Sequence, residues 1–325
     1  MPDKPYLLGI DIGGTKLAVV IADNQGRLLH KIRQPTQAYQ GGRAVLDKIL
    51  ALVHQILAES GLKPADVACI GVSCPGPVDT KTGLIHSPPN LPGWGEIRLK
   101  TILEQEFGIL AKFENDANAA ALAEMMFGAG INHKNMIYLT MSTGIGGGII
   151  INQRLYRGTH GSAGEVGHQI LIPDGPLCGC GRRGCLEALC SGTAISKLMQ
   201  KAAQDHPESL INSLAANKPE NMAPPVLVRA AQAKDELALD LWRQIGYYLG
   251  WGLANLTNVL DPEIFILGTI AINAGELLLT PARETLSRYI FNRNIPMPDL
   301  ILAKLGGEIG EYGAIAIAQA TEDNN

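Results

Sequence analysis

Apolar and polar positions along the chain fall into two similar passages. Apolar Leu7 to Ile12, a Gly13-Gly14 turn, apolar Leu17 to Ala22, an Asn24-Gln25-Gly26 turn and Arg27 to Ile32 predict three strands joined by tight turns. From Met136 the same order returns: an apolar strand to Met141, a Ser142-Thr143-Gly144 turn, a strand from Ile145 to Ile151, then Asn152-Gln153 ahead of Arg154-Leu155-Tyr156. The repeat predicts two halves of similar topology, each presenting a glycine turn, and two such turns facing each other would form one cleft.

Elsewhere the period changes. Val45, Leu46, Ile49, Leu52, Val53, Ile56 and Leu57 recur at helical spacing before Gly61, which supplies a stop. Further helices are predicted near 98–107, 117–127, 193–203, 208–216, 236–260, 274–289 and 312–320, and strands at 67–73, 110–113, 264–267 and 300–303. The segment 75–94 is rich in Pro and Gly and reads as a loop; Pro219 to Pro225 reads as an exposed break. Strands alternating with helices predict an α/β architecture with both sheet faces covered. A chain of 325 residues favours two domains.

Charge narrows the partners. A formal net charge of −4 leaves no basic surplus for phosphate backbones, so neither a nucleic acid nor an anionic membrane is expected as a partner. No apolar run reaches the length of a membrane span, and the first residues show no basic stretch followed by an apolar signal region, so the expected location is cytoplasmic. Six cysteines are too few for a disulfide scaffold, yet three of them crowd between 178 and 185.

Chemistry concentrates at four places. Asp11-Ile12-Gly13-Gly14-Thr15-Lys16 joins two strands; its glycines would let backbone amides approach an anion, and its carboxylate could organise Mg2+ through water. A plain hairpin turn with a capping Asp fits the motif as well, and Lys16 either contacts phosphate or lies on the surface. Thr143, Gly144, Gly146 and Gly147 belong to a second loop. A strand follows each loop, which separates both from the P-loop and from the dinucleotide fingerprint and fits the nucleotide cleft of the actin, hexokinase and heat-shock ATPase class. Glu114-Asn115-Asp116 sits where a strand meets a helix, either as a cap or as a general base beside an amide that orients a hydroxyl.

The fourth place is Gly164 to Glu187. His168, Cys178, Cys180 and Cys185 offer one imidazole and three thiolates, a closed tetrahedral set suited to structural Zn2+ with no position left for water. Glu165 and Glu187 flank the ligands, so the metal would fix two carboxylates able to accept hydrogen bonds from a polyol. With Asn115 and Asp116 they make a sugar pocket.

These motifs, with Pro75-Gly76, Asn90-Leu91 and the Glu114-to-Asn118 run, make the chain resemble the ROK family (repressor, open reading frame, kinase), and within it the bacterial glucokinase branch. The resemblance runs from about Leu8 to Ala318. It implies a two-domain actin-like ATPase (ribonuclease H-like) fold, with ATP and sugar in the interdomain cleft. The smaller domain is expected at 1–115 plus 309–325, and the larger, carrying the zinc loop, at 116–308.

The resemblance also implies ATP-dependent phosphorylation of a hexose, most simply glucose to glucose 6-phosphate, with Asp116 as general base. Asn90, Asn115, Glu165, His168 and Glu187 match the family's sugar contacts, His168 also ligating zinc through its other nitrogen. Asp11 to Lys16 and the second glycine loop would hold the triphosphate. Relatives often have a run of glycines near the adenosine, where this chain reads Gly268-Thr269-Ile270-Ala271, so of that run Gly268 is carried over as a nucleotide contact. A homodimer or homotetramer is implied. No helix-turn-helix precedes the first strand, so DNA binding is not expected. N-acetylmannosamine, N-acetylglucosamine, fructose or allose are alternative substrates, and a non-catalytic sugar sensor is an alternative class.

Overall fold

The first apolar passage forms an antiparallel meander of Tyr6–Ile12 (β1), Lys16–Asp23 (β2) and Leu28–Pro35 (β3). This computed structural model describes residues 4–86, 90–292, 294 and 296–320; residues 87–89 of the expected loop and 321–325 of the expected first domain lie outside it. After helix Gly42–Ser60 (α1), strand Val67–Cys74 (β4) pairs parallel to β1. A two-residue ribbon, Val78–Asp79 (β5) with Leu84–Ile85 (β6), precedes helix Leu99–Phe107 (α2) and strand Ala111–Asn115 (β7), which pairs parallel to β4. The sheet order is β3-β2-β1-β4-β7.

β1 and β2 are buried along nearly their whole length because helices cover both faces. On one face Leu8, Ile10 and Ile12 pack in a core with Ile49, Val53 and Ile56 of α1 and Leu103 of α2. Each such side chain contributes about 1.5–3 kcal/mol by leaving water. The other face is covered by the C-terminal helix Ile309–Gln319, whose Ile315 and Ala318 meet Leu7, Val20 and Cys69.

The second passage builds Met136–Met141 (β8), Ile145–Ile151 (β9) and Arg154–Leu155 (β10), again an antiparallel meander. Helices Asp116–Phe127 (α3), Leu186–Cys190 (α4), Gly192–Asp205 (α5), Leu210–Leu214 (α6), Pro224–Gln232 (α7) and Glu236–Leu260 (α8) lead to strand Ile264–Thr269 (β11). Ile270–Ala274 (α9), Glu276–Tyr289 (α10), Asp299–Leu302 (β12) and the closing helix, now α11, complete the order. The second sheet runs β10-β9-β8-β11-β12, with β11 parallel to both β8 and β12. Both sheets thus place a meander first and parallel strands after it, as the repeat predicts.

Two expectations change. The compact units break at Ile131/Asn132 and Gly306/Gly307, not at 115/116 and 308/309, because α3 packs on α11 and stays with the first sheet. Pro224 and Pro225 begin α7 instead of ending a break: a helix's first turn needs no amide from proline, and Val226, Leu227, Ala230 and Ala231 then bury. Among the described residues no helix is long and apolar enough to cross a membrane.

Candidate active site

Parallel strands deliver their carboxyl ends to a common edge, which is where open α/β sheets bind ligands. In the first unit the register aligns Asp11 of β1 with Ser73 of β4, Ser73 with Glu114 of β7, and Cys74 with Asn115. Asp11 and Glu114 therefore stand two strand spacings apart, about 10 Å, with Asp116 just beyond. The Cys74 thiol between them is pushed well up by its burial, and the nearby charges of Asp116, Glu114 and Asp11 add to the rise.

Asn115 caps α3, its side chain accepting from the Asn118 amide at 2.8 Å. Buried Glu114 braces the pair from behind, taking the Asn115 amide and Asn118 Nδ2, each at 3.0 Å. Asp116 opens α3 as an exposed residue. One turn thus holds both a helix cap, made by Asn115, and an exposed carboxylate, Asp116.

The first glycine turn closes with the Gly13 amide donating to the Lys16 carbonyl at 2.9 Å. Asn90 comes up against it: a Cβ on Gly14 would lie 2.8 Å from the Asn90 carbonyl oxygen. Lys16 is engaged by protein carboxylates. Its ammonium is 3.0 Å from Asp11 and 3.3 Å from buried Glu311, which Arg33 also holds. Burial raises the Asp11 carboxyl above its ordinary range, and Lys16 partly offsets that rise. Thr15 adjoins this turn, its carbonyl accepting from Thr36 at 3.0 Å.

In the second unit His168, Cys178, Cys180 and Cys185 converge, their donor atoms all within 4.8 Å of one another. Cys180 and Cys185 sulfurs are 3.7 Å apart, as are Cys178 Sγ and His168 Nδ1. A tetrahedral zinc–thiolate centre with bonds of about 2.3 Å separates its sulfurs by about 3.8 Å, so the donor set fits such an ion. Gly181, at φ 85°, and the Cys178 amide bonded to the Arg182 carbonyl at 2.8 Å fold the knuckle. The Arg182 amide holds the exposed Cys180 thiol down at about 6, whereas burial pushes Cys178 up to about 12 and raises Cys185 as well. A cation would relieve that cost of ionisation.

The imidazole is shared between two neighbours. His168 Nδ1 faces Cys178, while Nε2 is 3.9 Å from a Glu165 carboxylate oxygen. Glu187 is 3.3 Å from Cys178 through Oε1, and its Oε2 accepts the Ile145 amide at 3.0 Å. Glu165, His168 and Glu187 therefore gather around one Cys-His cluster beside the second glycine loop.

That loop owes its glycines partly to packing. A Cβ on Gly144 would lie 2.5 Å from Glu187, and one on Gly147 would lie 2.6 Å from Val166 and 3.0 Å from the Gly164 carbonyl. Thr143 and Gly146 are only partly covered or exposed. Gly268 backs onto Tyr138, whose hydroxyl would sit 2.2 Å from an added Cβ. Thr269 follows at φ 57°, a backbone state that a β-branched residue rarely adopts, with its hydroxyl bonded to the Met141 carbonyl. A cavity of about 400 Å³ opens next to the loop, lined by Ser142, Thr143, Thr193, Ser196, Pro225 and Ile270 among others.

Several of these residues are not singled out by sequence motifs. Glu311 and Arg33 read as parts of a closing helix and an edge strand, although Gly310 just before Glu311 sits at a close approach, an added Cβ there lying 2.2 Å from Asp11 Oδ2. Glu114 belongs to a named motif, but its role as a brace behind Asn115 and Asn118 shows only in the fold. Pro225 and Thr193 meet only through the tertiary fold.

The ROK family profile matches residues 7–321. A glucokinase of Streptomyces coelicolor is 36% identical over 317 residues, 96% of this chain and 97% of the relative. A solved ROK family glucokinase from Streptomyces griseus, in complex with glucose and AMPPNP, superposes with a TM-score of 0.80 at 36% identity, over 97% of this chain and 99% of its own. A ROK hexokinase from Thermus thermophilus gives 0.80 at 38% identity, over 96% and 97%. The fold is that of the two-domain sugar kinases, and the chain belongs to the ROK family.

Proposed function

We propose that this protein transfers the γ-phosphoryl group of ATP to the 6-hydroxyl of glucose. The observation that carries this reading is the full-length similarity to a glucokinase solved with glucose and AMPPNP, joined to an exposed Asp116 at the start of α3. Asn90, Asn115, Asp116, Glu165, His168 and Glu187 contact the sugar in this reading. Because Asn115 Oδ1 is committed to the helix cap, its contribution is the Nδ2 donor.

Asp116 accepts the hydroxyl proton as the sugar oxygen bonds to phosphorus and the bond to the bridging oxygen of ADP breaks. Such a transfer depends on in-line positioning and charge neutralisation more than on a strongly shifted base. Asp11, Gly13, Gly14 and Thr15 serve the triphosphate with Thr143, Gly144, Gly146 and Gly147, and the cavity beside Thr193 and Ile270 accommodates the nucleoside. Lys16 acts by holding Asp11, and Gly268 by seating Tyr138. Magnesium, when bound, neutralises phosphate charge, and Asp11 would hold it through water. Zinc, when bound by His168, Cys178, Cys180 and Cys185, supplies structure only. The reading includes a cytoplasmic homodimer or homotetramer with no nucleic-acid partner.

A coupled assay with ATP and a sugar panel tests it. Glucose should give the highest kcat/KM; better turnover of N-acetylmannosamine would overturn the substrate assignment, and no turnover of any hexose would overturn the kinase.

A further inference from the structure

Three segments that the sequence presents separately are packed into one body in the second unit. The sugar loop Gly164–His168 lies directly on β9: a Cβ on Gly167 would fall 2.1 Å from the Ile145 carbonyl, and one on Gly147 would meet Val166. The Cys-His cluster joins the same place, since Cys185 is the N-cap residue of α4 and Glu187 lies in its first turn. From that turn Glu187 Oε2 takes the Ile145 amide at 3.0 Å, in space that exists because residue 144 has no side chain.

The start of α5 grips the same loop. The Gly192 amide donates to the Ser142 carbonyl at 2.7 Å, and the Thr193 hydroxyl donates to the Thr143 carbonyl at 2.9 Å. The next amides of α5 are also used internally, Ala194 by the Ser191 side chain and Ile195 by the Ser191 carbonyl. The start of α5 is thus a clamp on the glycine loop, its amides directed at protein. One short segment, 187–193, therefore fixes Ser142, Thr143 and Ile145 together.

We infer that Glu187 is a positioning residue for the nucleotide: as the acceptor of the Ile145 amide, it sets the glycine loop in its phosphate-binding shape, in addition to any contact with sugar. The inference rests on the kinase reading through the assignment of Thr143–Gly147 to the phosphates. Its chemistry separates two roles of one side chain. Loop positioning needs an acceptor oxygen at the end of a four-carbon reach, which glutamine retains. Alanine supplies no acceptor, and aspartate draws the oxygen back by one methylene.

The test measures binding of Mg-AMPPNP without sugar, and of glucose without nucleotide, by calorimetry on the zinc-loaded full chain and its variants. Glu187→Ala should weaken AMPPNP about tenfold, the worth of one charge-assisted hydrogen bond, while Glu187→Gln should stay within about twofold of the parent. Both should weaken glucose. Should Glu187→Ala fail to fold, Glu187→Asp against Glu187→Gln carries the same contrast. Parent-like AMPPNP binding by the alanine or aspartate variant would overturn the inference, as would a glutamine variant as weak as alanine. If the parent chain binds no AMPPNP, the kinase reading falls and the inference with it.

Discussion

Lys16 holds Glu311 across 3.3 Å, although 295 positions separate them and Glu311 has no exposed side-chain surface. The same ammonium is 3.0 Å from Asp11, and Arg33 supplies Glu311's second cation. The lysine is therefore a structural cation in the first glycine turn. Removing one partner of a buried pair leaves charge uncompensated, at a cost of several kcal/mol when no other partner remains. With Arg33 still present, Lys16→Met should lower the unfolding free energy by about 2 kcal/mol. Lys16→Met and Arg33→Leu should also be non-additive, because they share Glu311. Denaturant titration measures both; unchanged stability with weakened nucleotide binding would instead make Lys16 a phosphate contact.

Asp11 gives a pH dependence of definite sign. Its carboxyl is raised by burial above the ordinary aspartate value of 3.8, so the folded chain keeps this proton at a pH where the unfolded chain has lost it. The stability it contributes is fully present below 3.8 and is lost as pH rises through the folded value. Asp11→Asn cannot titrate. Its stability relative to the parent should therefore increase from pH 4 to pH 7 in chemical denaturation, while Mg-ATP use declines. A relative stability that stays level between those pH values would contradict the burial argument.

The cluster of His168, Cys178, Cys180 and Cys185 predicts one zinc per chain by elemental analysis. Cys180 is the exposed ligand, so Cys180→Ala should lose the metal with little damage to the core. The freed His168 and Glu165 would then be misplaced, lowering kcat/KM for glucose by about 10- to 100-fold, mainly through KM. Normal glucose kinetics in zinc-free protein would sever metal from sugar site.

The three turn-linked strands that open each sheet were legible because apolar runs and glycine turns repeat, and each run is long enough to declare its period. The four metal donors were legible because their spacing is local. What remained hidden is tertiary. Glu311 is called to Lys16 by the fold alone, and the reason for glycine at 144 and 147 lies in Glu187 and Val166, which approach from another segment. Pro224-Pro225 misled because proline punctuates both loops and helix starts, and only the buried Val226 and Leu227 decide between them.

Asp116→Asn tests the central claim most directly. The variant keeps the size and position of the side chain at the start of α3 but cannot take the hydroxyl proton. Glucose affinity should stay within a few-fold of the parent while kcat falls by at least about 100-fold, the usual contribution of a general base. Retention of more than about a tenth of the parent kcat, with glucose still bound, would contradict the account.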